Sequence, residues 1–202
     1  MIVCIKYENT KFLKSALKSN DWVSPIGSEI AFLGYSNVGK SRALNVLTKQ
    51  KKLTRVSKRP GRTQLINFFQ VSSIFRLVDF PGYGYSKINL KLKNKISTWA
   101  YQYLQTRICL HGIVLFSDIR STLKFLDEKI LLIAKNRKIP VLILLTKSDK
   151  LSLFKKQKKK KNIKKKLLSW GLNYKINYFS SLTCEGLEIF KNTLENWLKK
   201  KT

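Results

Sequence analysis

The chain has 202 residues, 44% of them hydrophobic, with 41 Lys and Arg against 11 Asp and Glu and a formal net charge of +30. That length suits one domain with short extensions, and that apolar fraction supports a real core, which excludes wholesale disorder. No apolar run approaches the ~20 residues needed to cross a bilayer, and residues 1–8 lack the long apolar stretch and small-residue cleavage site of a signal peptide, so a cytoplasmic protein is expected.

Residues 29–33 (EIAFL) read as a short buried strand. Everything before them reads as an N-terminal extension, residues 1–28, packing on a domain that spans residues 29–202. The strand runs into Gly34-Tyr35-Ser36-Asn37-Val38-Gly39-Lys40-Ser41, and residues 41–48 read as the helix that follows. Residues 49–62 are polar and basic, carry Pro60-Gly61 and read as a loop. Residues 65–71 and 74–78 are strands joined by Ser72-Ser73, an antiparallel hairpin with Asp79 at its end. A loop at 81–85 (PGYGY) leads to a helix at 92–104, a strand at 112–118 and a helix at 126–136 that ends before Pro140. Residues 141–145 (VLILL) are a central strand without a polar residue. Residues 155–170 read as helix, 176–179 as a last strand, and 185–199 as an amphipathic helix with Leu187, Phe190, Leu194 and Trp197 on one face. The sum is an α/β domain: one mostly parallel sheet of about six strands, one of them antiparallel, with helices on both faces.

The glycine loop carries the strongest chemical signal. G-x-x-x-x-G-K-[ST] lets the chain curl and aim its N–H groups at phosphate oxygens. Lys40 then reaches between the β- and γ-phosphates, and the Ser41 hydroxyl reaches Mg²⁺. The flanking strand and helix are the context the motif requires. About forty residues later comes Asp79-Phe80-Pro81-Gly82. A carboxylate at the end of a buried strand can hold Mg²⁺ through water, and the Gly82 backbone can approach the γ-phosphate. Thr146-Lys147-Ser148-Asp149 follows the most apolar strand. Asp149 can accept hydrogen bonds from N1–H and the 2-amino group of guanine. Adenine lacks that donor pair, and a site left with an unpaired carboxylate rejects it strongly. The Lys147 stem packs on the base. Phe179-Ser180-Ser181 follows the last strand, where a backbone N–H can bond the guanine O6. These elements predict a single P-loop GTPase domain.

The segments GYSNVGKS, RPGRTQLINFF, DFPGYGYS, SDIRS, TKSD and FSSL, in that order, resemble the EngB (YihA/YsxC) family of bacterial GTPases, within the TrmE-Era-EngA-EngB-Septin-like class. The resemblance runs from about residue 29 to 197. It implies that Thr63 closes on Mg²⁺ and the γ-phosphate when GTP is bound, flanked by Gly61, Arg62, Gln64 and Leu65, and that Asp79 to Gly82 opens the second switch. Lys40 and Thr63 are then the catalytic residues, and Ser41 and Thr63 the metal ligands. It also implies a role in assembly of the large ribosomal subunit, a link to cell division and septation, an rRNA-rich partner and a monomer. Tyr83 stands where many GTPases carry a Gln that orients the attacking water. An aromatic cannot do that, so slow unaided turnover is expected. Asn37 resembles the Asn of related GTPases that helps to bind K⁺ beside the phosphates. Arg42 and Arg59 depart from the family pattern; Arg42 is expected to point outward.

Some features stay open at this level. The charge suits a polyanionic partner, yet codon bias in an AT-rich genome also enriches Lys, Asn and Ile. Nine of the twelve residues 155–166 are lysine, either a solvated face or an rRNA contact. Asp118 and Arg120 match the family's D-I-R segment and receive no catalytic role. Cys4, Cys109, Cys184 and the single His111 lack the spacing of a disulfide framework or metal site. The rival to a GTPase switch is a basic RNA-binding assembly factor that holds nucleotide but has lost hydrolysis.

Overall fold

Strand β6, Val141–Thr146, is buried at every position, which explains the unbroken apolar run from Val141 to Leu145. A parallel strand in the middle of a sheet has helices over both faces, so neither set of side chains meets water. The structure is a computed structural model and describes residues 5–54, 65–83, 90–121 and 123–199, with the backbone alone at 90–97. The described residues form seven strands: β1 Lys11–Ala16, β2 Ser28–Gly34, β3 Ile66–Ser72, β4 Phe75–Asp79, β5 Leu110–Asp118, β6, and β7 Tyr174–Phe179. Among the described residues five α-helices accompany them: α1 Lys40–Thr48, α2 Leu90–Thr106, α3 Phe125–Asn136, α4 Leu153–Leu167 and α5 Leu187–Lys199.

The sheet order is β1-β3-β4-β2-β5-β6-β7. Strand β3 runs antiparallel to both of its neighbours, and every other pairing is parallel. The sheet thus has one strand more than the six expected. The added strand, β1, comes from the stretch read as an N-terminal extension. Its pattern was illegible because an edge strand has few buried positions: four of its six residues are exposed.

Alternation along the central strands splits the core in two. Ala31, Leu33, Ile113, Leu115, Ile143 and Leu145 face α2, α3 and α4. Ile30, Phe32, Val114, Phe116, Leu142 and Leu144 face α1 and α5. Leu44 and Leu47 of α1 and Phe190, Leu194 and Trp197 of α5 close the second layer. Gly112 is needed there, since a Cβ would stand 2.1 Å from the Trp197 ring.

The N-terminal ends of the strands hold a buried charge cluster. Glu29 is fully buried and accepts from Arg76 at 2.8 Å, from Arg107 at 2.7 Å and from the Tyr103 hydroxyl at 2.5 Å. Arg76 also donates to the carbonyls of Ser24 and Ile26, and Arg107 to that of Val23, which straps the entering chain to the sheet. Burial alone would raise the Glu29 carboxyl, but the hydrogen bonds from Arg107 and Tyr103 outweigh it and hold the pKa below the ordinary 4.5. Glu29→Gln leaves two buried guanidiniums under-compensated and is expected to cost about 3–5 kcal/mol, read as a lower urea midpoint at pH 7. A group with a lowered folded-state pKa stabilises above its unfolded value and loses that contribution as pH falls. The gap between wild type and Glu29→Gln is therefore expected to begin shrinking as pH falls below about 4, the unfolded carboxyl's range, and to close only below the lower folded-state value.

Candidate functional site

Four loops meet where β2, β4, β6 and β7 end, because parallel strands deliver all their C-terminal turns to one rim. The loop after β2 is the phosphate-loop motif. Its backbone takes left-handed conformations at Asn37 (φ 64°) and Gly39 (φ 99°). Asn tolerates that region and Gly is free in it, so the sequence suits the curl. Gly34 answers a different demand: a Cβ there would meet the Phe116 carbonyl oxygen at 2.6 Å. Gly39 then caps α1, accepting from the Ala43 N–H at 2.9 Å, and Lys40 and Ser41 occupy the first turn. The N–H groups of that turn form a positive, anion-accepting end. Arg42 is exposed, as expected.

Neighbouring loops hold this one from outside. Lys40 pairs with Asp79, both buried. The Ser36 N–H donates to the Tyr83 carbonyl at 2.9 Å, the Ser36 hydroxyl to the Gly82 carbonyl at 3.0 Å, and the Tyr83 N–H to the Gly34 carbonyl at 3.3 Å. Gly82 passes so close that a Cβ would stand 2.9 Å from the Ser36 Cα. From the other side the Thr146 hydroxyl donates to the Val38 carbonyl, and Lys147 Nζ to the Asn37 carbonyl at 2.8 Å. Phe80 and Pro81 are buried, with the Phe80 ring against Tyr103, so only their backbone faces the rim.

The loops after β6 and β7 are joined to each other. Ser180 Oγ donates to Asp149 Oδ1 at 2.7 Å and accepts from the N–H groups of Leu182 and Thr183. The Ser180 hydroxyl, with Lys150 at 3.3 Å, holds the Asp149 carboxyl below its ordinary value. Ser148 is fully buried and donates to Glu185 at 2.6 Å. Glu185 also pairs with Lys156 at 2.7 Å, and its carbonyl accepts from the Ser180 N–H at 3.1 Å. Phe179 is in the core against Phe190, and Ser181 lies half-buried beside Ser180.

Three acidic residues matter here that sequence reasoning did not assign. Glu185 ties the loops after β6 and β7 together, and nothing in its spacing announced it. Asp118 pairs with Lys147 at 2.9 Å and with Arg120 at 2.7 Å. Its pKa is driven down: burial opposes the shift, and the Arg120 and Lys147 hydrogen bonds overcome it. Asp127 accepts the Tyr83 hydroxyl at 2.7 Å and the Lys124 N–H at 3.0 Å. It caps α3, and nothing in its spacing announced the Tyr83 partner. Tyr83 is thereby turned into the core, with its ring 4.7 Å from that of Tyr35. Gly61, Arg62, Thr63 and Gln64 lie outside the described residues, and so do Gly84, Tyr85 and Cys4. Leu65 is exposed just before β3. Among the described residues no group of three or more His, Cys, Asp or Glu side chains is placed to hold a metal ion.

A strand–loop–helix that exposes backbone N–H groups, with a buried lysine–carboxylate pair and a carboxylate at the far end of the rim, defines the class of P-loop nucleotide-binding proteins. Residues 29–147 match the family described as 50S ribosome-binding GTPase. Over 199 residues the chain is 48% identical to the probable GTP-binding protein EngB of Buchnera aphidicola subsp. Schizaphis graminum, covering 98% of this chain and 99% of that one. It is 44% identical over 191 residues to the probable GTP-binding protein EngB of Enterobacter sp. (strain 638), covering 95% and 92%. A crystal structure of a probable GTP-binding protein engB superposes with a TM-score of 0.70 at 21% identity, covering 86% of this chain and all of that one. The chain belongs to the EngB family of P-loop GTPases.

Tyr83→Phe removes one of two hydrogen bonds to a buried carboxylate and is expected to cost about 1–3 kcal/mol. Urea denaturation checks it: an unchanged midpoint would mean that the bond carries no weight.

Proposed function

We propose that this chain binds GTP and GDP with Mg²⁺, hydrolyses GTP slowly on its own, and acts as a switch in assembly of the large ribosomal subunit, with a link to normal cell division and septation. The observation that carries the nucleotide reading is the convergence of Lys40, Asp79 and Asp149 on one rim around the α1 N-terminus. The ribosomal reading draws on the description of the matched family as a 50S ribosome-binding GTPase and on the net charge of +30.

The residues fit their roles. Backbone N–H groups from Gly34 to Ser41 cradle the phosphates, and Lys40 releases Asp79 to bind a phosphate oxygen. The Ser41 hydroxyl, Asp79 through water and, by the family resemblance, Thr63 would hold Mg²⁺; hydroxyl and carboxylate oxygens suit an ion that keeps several waters. When bound, Mg²⁺ neutralises charge that develops on the transferring phosphoryl group. Asp149, kept ionised by Ser180, is a pure acceptor for the guanine N1–H and 2-amino groups. Ser180 and Ser181 lie beside it for O6, and Thr146, Lys147 and Ser148 position the base. GTP orders Thr63, its neighbours Gly61, Arg62, Gln64 and Leu65, and the stretch from Asp79 to Gly82; loss of the γ-phosphate releases them. Asn37, exposed at the tip of the loop, is the residue for K⁺.

A second reading, an RNA-binding assembly factor with decayed hydrolysis, is favoured by Tyr83 alone. Its hydroxyl is committed to Asp127, so it cannot orient water. GTP turnover with and without large ribosomal subunits separates the two. Slow turnover that subunits accelerate is expected, faster in K⁺ than in Na⁺. Absence of turnover in both conditions favours the second reading, and equal rates in the two salts remove Asn37 from potassium binding. Asp149→Asn puts an amide donor opposite the guanine donors. We expect at least a tenfold loss of GTP affinity by calorimetry, with the weak ATP affinity unchanged; parallel losses for both nucleotides would remove Asp149 from base recognition.

A further inference from the structure

We propose that the outward face of α4 is a docking surface for the phosphate backbone of RNA, an inference that rests on the ribosomal reading above. The fold sorts the nine lysines of residues 155–166 into two sets. Four are engaged inward: Lys156 with Glu185, Lys166 with Glu128, Lys159 on the Arg120 carbonyl at 3.3 Å, and Lys160 at 5.1 Å from the centre of the Tyr178 ring. The other five, Lys155, Lys158, Lys161, Lys164 and Lys165, are exposed and make no ion pair with a described residue.

Phe154, Lys158, Lys161 and Lys165 recur at helical spacing and form one outward stripe. At 1.5 Å per residue it runs about 16 Å. Phe154, 75% exposed, stands at its start. Helix formation does not call for this arrangement. Lys155 and Lys156 lie at the positive end of the helix dipole, no acidic residue occupies the first turn, and like charges four apart repel. Ile163 and Leu167, buried on the opposite face, are what attach α4 to the domain. The lysine row is thus a cost to the free protein that a polyanion removes.

The chemistry favours RNA over a lipid surface. A helix that lies on a membrane turns a continuous apolar face outward, whereas Ile163 and Leu167 of α4 are spent on the core and only Leu153 and Phe154, at its first turn, are exposed. A row of point charges with one exposed aromatic matches a phosphate backbone with a base available for stacking.

The test uses the full chain and its variant K158Q/K161Q/K164Q/K165Q, titrated with purified large-subunit rRNA from 50 to 200 mM salt. Each lost phosphate contact is expected to reduce the slope of log affinity against log salt by roughly 0.7–0.9, about 3 in all. The matching Lys→Arg variant is expected to keep the wild-type slope, with helix content and GTP affinity unchanged in both. An unchanged slope in the Gln variant overturns the proposal. So does a wild-type chain that binds phosphatidylglycerol vesicles but not rRNA. Co-sedimentation of wild type with large subunits, compared between GTP and GDP, reports on the ribosomal reading separately: its failure with the rRNA slope intact overturns that reading alone.

Discussion

The turn from β2 into α1 cannot hold its own shape. It needs left-handed backbone at Asn37 and Gly39 and leaves the first N–H groups of a helix without partners. Its conformation is therefore imposed from outside. Thr146 and Lys147 grip the carbonyls of Val38 and Asn37, Gly82 and Tyr83 run alongside Ser36, and Asp79 takes Lys40. Those partners come from the C-terminal ends of two other strands, β4 and β6. They meet because the strands are parallel, and the strands stay parallel because helices cover both faces of the sheet. The loop, the sheet and the two-layered core are one constraint.

Charge is handled in two opposite ways. At the N-terminal ends of the strands, Glu29 is buried with Arg76, Arg107 and Tyr103, and the cluster straps residues 23–26 to the sheet. There a charge is tolerable only because every partner is present. On α4 the reverse holds: lysines outnumber the acids that reach them, and solvent carries the excess. Between these extremes lies the network after β6 and β7, where Glu185 joins Ser148, Lys156 and the Ser180 backbone. Lys156 belongs to the same helix as the exposed row, so one face of α4 steadies the nucleotide rim while the other meets solvent.

Most strands and all five helices were legible because hydrophobic period maps directly onto burial. The all-apolar run of β6 and the Phe190, Leu194, Trp197 stripe of α5 are examples. Strand β1 was not legible, because an edge strand that is largely exposed writes no alternation. The chemistry of Tyr83 is readable from residue type, but its bond to Asp127 spans 44 residues and had no local sign.

The sequence by itself determined the class of site: the glycine spacing that lets backbone face phosphate, the carboxylate after β4 and the acceptor after β6 are local chemistry, readable from residue type and order. Only the tertiary structure decided how these are supported. Glu185, Asp118 and Asp127 act through partners distant in the chain, and which lysines of α4 are bound and which are free depends on what packs against each side of the helix. Such pairings are set by the approach of separate elements, and no periodicity records them.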